Sequence, residues 1–61
     1  MRLGERYEER LEDGRIAVAT VGWDPDQGTP YLECDDGDGR QQRRAATTAE
    51  LEAWRASLRQ A

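Results

Sequence analysis

Arg15-Ile16-Ala17-Val18-Ala19-Thr20-Val21-Gly22-Trp23 is the stretch that decides the fold of this 61-residue sequence, because it is the longest run rich in β-branched residues. Alternate residues of a strand point to opposite faces of a sheet. One face of this strand would carry Ile16, Val18 and Thr20, and the other Ala17, Ala19, Val21 and Trp23. Neither face is charged, which is typical of a central strand covered on both sides.

Turn residues follow the central strand directly. Residues 24–30 combine Asp, Pro and Gly, each of which favours turns for its own conformational reason. Residues 30–34 are apolar enough to return as a strand. We therefore predict a hairpin between strands over residues 15–23 and 30–34.

The segment before the central strand fits two structures. The Asp-Gly pair at residues 13 and 14 is a strong hairpin signal and favours a strand over residues 6–11. The apolar residues of this segment are also spaced by four, as on a helix: Leu3, Tyr7, Leu11. We favour the strand because of the Asp-Gly turn, and the helix stays open as the alternative.

The C-terminal segment predicts an amphipathic helix over residues 48–60. Thr47 and Glu50 have the spacing of a capping box, in which each side chain accepts a hydrogen bond from the other residue's backbone N–H. Apolar residues follow at helical spacing: Leu51, Trp54, Leu58. A helix of this length is marginal on its own, so the stripe must pack against the sheet, with Trp54 in the core.

Residues 35–39 are polar and glycine-rich and predict a loop, whereas residues 40–45 fit either a fourth, edge strand or a linker. The predicted fold is therefore α+β. One small domain contains an antiparallel sheet of three strands, or four with residues 40–45, followed by one C-terminal amphipathic helix.

The composition predicts a weak hydrophobic core. Only eight residues are Ile, Leu, Val or Phe, and a chain of about 60 residues buries only about 60% of its unfolded surface. The single cysteine allows no internal disulfide, and too few Cys and His residues are present for a structural zinc ion. Because one helix also covers only one face of the central strand, we predict a homo-oligomer, and we expect no cofactor or metal.

The sequence offers little for membrane insertion or catalysis. The apolar run over residues 16–21 is far shorter than the roughly 20 residues of a membrane span, and residues 1–5 lack the apolar core of a signal peptide. We therefore expect a cytoplasmic location. The chain has no histidine or lysine, and acidic neighbours would raise the pKa of Cys34, so we predict a buried, unreactive thiol beside Leu32 and no enzymatic activity.

Acidic residues in the turns partly match a calcium-binding loop: Asp24, Asp26, Gly28, Asp35. The match lacks the central glycine of such a loop, and the flanking segments predict strands instead of helices. The expected role of these carboxylates is to stabilise turns through their own backbone.

Charge is unevenly distributed along the chain. Residues 1–39 contain 4 arginines and 11 acidic residues, whereas residues 40–61 contain 5 arginines and 2 acidic residues. Arg40, Arg43 and Arg44 could present a basic surface to phosphates, although charged residues also keep an edge strand soluble.

Trp23 lies where the central strand meets a proline turn, and it fits either the core or an interface. Tyr31, across the turn, is its expected neighbour. We predict a non-enzymatic protein–protein interaction module, a homodimer that acts as an accessory, regulatory or inhibitory protein. Its predicted interaction residues are Trp23, Tyr31, Arg40, Arg43 and Arg44. The alternative is a dimeric nucleic-acid-binding protein that uses Arg40, Arg43 and Arg44.

Overall fold

A computed structural model, which describes residues 1–59, contains a four-stranded antiparallel sheet followed by one helix. The elements are β1 (Arg6–Arg10), β2 (Ile16–Asp24), β3 (Thr29–Asp35), β4 (Gln41–Ala45) and α1 (Thr48–Leu58). Strands that are consecutive in the chain are neighbours in the sheet, in the order β1-β2-β3-β4. The predicted α+β fold class is confirmed. The first segment is a strand, residues 41–45 supply the fourth strand, and the predicted helix end at Gln60 lies outside the described residues.

The turn between β1 and β2 contains three residues instead of the two of the tightest hairpins. Leu11 donates its backbone N–H to Arg15 O at 2.8 Å, and Gly14 donates to Leu11 O at 3.0 Å. Gly14 has a φ of 89°, a conformation that glycine adopts without the steric cost of a Cβ atom. The Asp-Gly pair therefore marks the correct hairpin, with glycine as the last residue of its loop.

Helix α1 covers one face of the sheet, which we call the covered face. The fully or almost fully buried side chains lie between the two: Ala17, Ala19, Val21, Leu32, Cys34, Leu51, Trp54. The alanines of β2 leave room for the indole ring of Trp54, which is completely buried. Its Nε1 donates to Asp36 Oδ1 at 3.3 Å, so the polar end of the ring keeps a hydrogen bond. Trp54 is a core residue, as predicted.

The opposite side of the sheet is the open face, and Ile16, Val18 and Thr20 of β2 point to it. Ile16 is 46% exposed. We expected no cover from the chain itself on this face, and at one end that expectation is wrong. The Tyr31 ring lies on Gly22, where a Cβ atom would come within 2.7 Å of Tyr31 Cζ. A glycine at this position of β2 is what allows the ring to lie flat on the strand.

Only half of the predicted capping box is present at the start of α1. Thr47 Oγ1 accepts a hydrogen bond from Glu50 N at 3.1 Å, as expected. The Thr47 N–H instead donates to Ala45 O at 2.9 Å, because the chain turns sharply out of β4. The Glu50 carboxylate faces Arg44 Nη1 at 3.6 Å. In the part of the chain that the structure describes, no helix is long and apolar enough to cross a membrane.

Replacing Trp54 by alanine should unfold the protein. Truncation of a buried tryptophan costs about 3–5 kcal/mol, which is comparable to the whole stability of a domain of this size. Far-UV circular dichroism with thermal melting measures the effect. Glu52→Ala, on the exposed side of the same helix, is the matched control and should melt like the parent. A cooperative transition for Trp54→Ala at the parent temperature would show that the indole is not the centre of the core.

Candidate functional site

Trp23 is largely exposed although it lies at the end of the central strand. By strand alternation it belongs to the same face as Val21, but its side chain is 51% exposed. Leu3 is 62% exposed and Met1 45%. The N-terminal segment is held at this end of the sheet because Gly4 N donates to Val21 O at 2.9 Å. Met1, Leu3 and Trp23 therefore share the end of the sheet where β1 begins and β2 ends, and we call them the apolar end.

Tyr31 does not lie beside Trp23, contrary to our expectation. The register of β2 and β3 pairs Trp23 with Pro30 and Gly22 with Tyr31. Adjacent residues of a strand point to opposite faces, so the tryptophan and the tyrosine are on opposite sides of the sheet. On the open face, the guanidinium carbon of Arg43 lies 4.5 Å from the centre of the Tyr31 ring, in a cation–π contact. Tyr31 thus belongs to a separate cluster.

The three arginines predicted to form a basic cluster do not form one surface. Arg43 and Arg44 are consecutive in β4 and point to opposite faces. Each arginine has its own carboxylate partner: Arg40 Nε to Asp38 Oδ2 at 3.7 Å, Arg43 Nε to Glu33 Oε2 at 2.9 Å and Arg44 Nη1 to Glu50 Oε2 at 3.6 Å. A phosphate would have to compete with these pairs, so the geometry gives the nucleic-acid alternative no support.

Carboxylates in the turns bind the backbone of their own turn, as predicted. Asp24 Oδ1 accepts from the N–H of Asp26 at 3.0 Å, and Asp35 Oδ1 accepts from Gly37 at 2.8 Å. Asp38 Oδ1 accepts from Arg40 N at 3.0 Å in the same way. Within residues 1–59, no group of three or more potential metal-ligating side chains is brought together. These acidic residues shape hairpin loops.

The thiol of Cys34 is buried beside Leu32 on the covered face, as predicted. Burial raises its pKa above the ordinary thiol value, and the nearby charges of Asp36, Glu33 and Glu50 act in the same direction. The positive charge of Arg44 opposes them without reversing the shift. A protonated, inaccessible sulfur is a poor nucleophile. Burial is the largest cause of the raised pKa of Cys34, whereas the sequence indicated only the acidic neighbours.

A polar cluster that the sequence did not predict joins β1 to α1. Arg55 Nε lies 2.9 Å from Glu9 Oε1, and its guanidinium carbon is 5.6 Å from the centre of the Tyr7 ring. The Tyr7 hydroxyl donates a hydrogen bond to Glu5, which lowers the pKa of Glu5 and raises that of Tyr7. Glu9 also lies 3.7 Å from Arg59. The cluster fastens the edge strand to the helix, and its partners are far apart in sequence, so no local pattern indicates it.

Comparison of the chain with protein-family models, with curated proteins and with solved structures gave no match. The features that bear on function are therefore the apolar end and the edges and open face of the sheet.

Replacing Cys34 by serine should lower stability without changing any binding activity. A serine hydroxyl buried at this position without a partner costs on the order of 1 kcal/mol or somewhat more. Urea titration of the parent, Cys34→Ser and Cys34→Ala measures it, and the alanine variant separates the lost volume from the buried hydroxyl. A serine variant as stable as the parent that loses binding would mean that the thiol has a functional role.

Proposed function

We propose that this protein is a non-enzymatic protein–protein interaction module that self-associates as a homodimer and acts on a larger protein as an accessory, regulatory or inhibitory factor. The observation that carries the proposal is the exposure of Trp23. A tryptophan that is 51% exposed leaves a large apolar area in water, when residues 1–59 contain only seven buried core residues. Tryptophan is enriched among the residues that dominate binding energy at interfaces.

The surroundings of Trp23 suit a binding surface. Leu3 and Met1 are exposed apolar residues of the segment that Gly4 holds at the same end of the sheet. Asp24 and Asp26, in the turn that follows Trp23, are acidic and supply a polar rim. Interfaces combine an apolar centre with such a rim. The partner that fits best is a protein with an apolar pocket surrounded by basic residues.

The charge of the chain supports the same kind of partner. Residues 1–39 carry 11 acidic residues against 4 arginines. An excess of negative charge accelerates association with a basic surface and makes the rate dependent on salt. The two arginines of β4 do not form a single basic surface that would cancel this negative charge. Arg43 and Arg44 lie on opposite faces of the sheet, and each is paired with a carboxylate.

The proposed self-association rests on the small core and on unpaired sheet edges. Of the seven buried residues, two are alanines and one is cysteine, so little apolar area stabilises the monomer. Within residues 1–59, β1 and β4 each pair with one strand only, and an edge strand is a template for pairing with another chain.

Sedimentation equilibrium at micromolar concentration should give a mass above the 6.9 kDa of one chain. The melting temperature should also rise with protein concentration, because association stabilises the folded state by mass action. A well-folded species of 6.9 kDa with a sharp, concentration-independent transition would contradict the proposed homodimer.

Trp23→Ala should leave the protein folded but weaken binding to its protein target. Truncation at an interface hot spot costs about 2 kcal/mol or more, which is roughly 30-fold in affinity. Immobilised parent and variant are compared for the proteins that they retain from the native cell extract, with affinities then measured for a retained protein. Ile16→Ala is the matched control, since Ile16 is 46% exposed at the other end and on the other face of β2. Equal retention by Trp23→Ala and the parent would exclude the apolar end as the binding surface.

A further inference from the structure

The outer edge of β1 exposes the backbone groups of alternate residues. Leu11 N donates to Arg15 O at 2.8 Å and Val21 N donates to Glu5 O at 3.0 Å, so odd-numbered residues of this segment direct their backbone groups toward β2. Antiparallel ladders alternate between hydrogen-bonded and non-hydrogen-bonded pairs. The N–H and C=O groups of Arg6, Glu8 and Arg10 therefore point away from β2, to the edge of the sheet.

The same three residues have their side chains on the open face. Tyr7 and Glu9 contact Arg55 of α1 and so belong to the covered face. Strand alternation then sets Arg6, Glu8 and Arg10 on the open face. Arg6 Nε lies 3.0 Å from Glu8 Oε1, and these side chains are 62% and 53% exposed. The edge thus carries an arginine and a glutamate that are both accessible to another chain.

A second copy of β1 can add to this edge with matching charges. If a two-fold axis perpendicular to the sheet relates the two copies, their β1 strands run antiparallel and both helices lie on the same side of the joined sheet. Residues that lie directly opposite each other must then belong to the same face. When Tyr7 lies opposite Tyr7 of the second copy, Arg6 lies opposite Glu8 of that copy, and Glu8 opposite its Arg6. Both are opposite-charge cross-strand pairs, and both fall on residues whose backbone groups point outward.

Other pairings of the edges are less favourable. A shift that sets Glu8 opposite Glu8 also sets Arg6 opposite Arg10, which leaves only like charges face to face. A further shift pairs Glu8 with Arg10, but it sets Glu9 against Glu9 at the two-fold axis itself and extends the pairing into the turn over residues 12–14. The Tyr7 register also brings like charges together, since it sets Glu9 opposite Glu5, but Glu5 precedes β1 and lies at the end of the pairing. Strand β4 has no carboxylate in its sequence Gln-Gln-Arg-Arg-Ala, so two β4 edges offer no opposite-charge pair.

We infer that two copies of this chain join through their β1 edges, with Tyr7 opposite Tyr7, to form one continuous eight-stranded antiparallel sheet. This inference rests on the proposed self-association and names its surface. It leaves Trp23, which belongs to β2 and not to the outer edge, outside the strand pairing, where it can bind a different protein.

A charge exchange tests the register. Arg6→Glu alone sets Glu against Glu at both pairs, and Glu8→Arg alone sets Arg against Arg. Each single variant should dimerise about tenfold or more weakly than the parent in sedimentation equilibrium, because attraction becomes repulsion at two symmetric positions. An equimolar mixture of the two variants should form a heterodimer with affinity close to that of the parent. Recovery in the mixture separates the interface from the strand itself, since neither chain regains its own Arg6–Glu8 ion pair.

Arg10→Glu is the matched control, as it makes the same change on the same face of β1 outside the two pairs. It should dimerise like the parent, and dissociation by this variant would overturn the Tyr7 register in favour of the Glu8–Arg10 one. Single variants that dimerise like the parent, or a mixture that does not recover, would overturn the β1 edge while the proposed self-association stands. A monomeric parent would overturn both. Circular dichroism confirms that each variant is folded.

Discussion

The buried core that contains Trp54 of the helix and the alanines of β2 is the feature on which the rest of the structure depends. Trp54 is completely buried, and Ala17 and Ala19 beneath the helix are equally inaccessible. Small residues on the strand leave space that the one large residue of the helix can fill, as a close-packed interior requires. The indole N–H also bonds Asp36, so one side chain connects α1, the central strand and the β3–β4 loop.

Because this core is small, several apolar side chains and backbone edges remain exposed. Helix α1, of 11 residues, covers one face of the sheet and leaves Trp23, at the far end of β2, 51% exposed. Trp23 stays in water at the uncovered end, while Arg55 of the helix holds β1 in place through Glu9 and Tyr7. The edge strand is therefore rigidly placed on one side and open on the other. An edge strand that is already held in place by the helix loses little conformational entropy when it pairs with another strand, and its alternating charges favour one pairing register.

Many of the charged side chains have a partner close by that neutralises their charge or donates a hydrogen bond to them. The arginines of β4 contact Glu33 and Glu50, and the turn aspartates accept hydrogen bonds from backbone N–H groups within two or three residues. The net negative charge therefore acts mainly as a long-range field. Arg6 and Glu8 differ, since their ion pair lies within one exposed edge strand and can be exchanged for equivalent pairs with a second copy.

Local pattern in the sequence determined the first two hairpins, the helix with its Thr47 cap, and the buried positions of Cys34 and Trp54. These features depend on residues a few positions apart, where turn chemistry and periodicity act directly. Tertiary structure alone decided that Trp23 and Tyr31 lie on opposite faces and that Thr47 N–H bonds Ala45 instead of Glu50. The separation of Arg43 and Arg44, by contrast, follows from strand alternation once residues 41–45 form a strand. For the two aromatic residues the reason is the strand register: a difference of one residue in pairing moves a side chain to the other face, and the sequence does not specify the register of strands joined by loops of several residues. For Thr47 the reason is the sharp turn of the chain between β4 and α1.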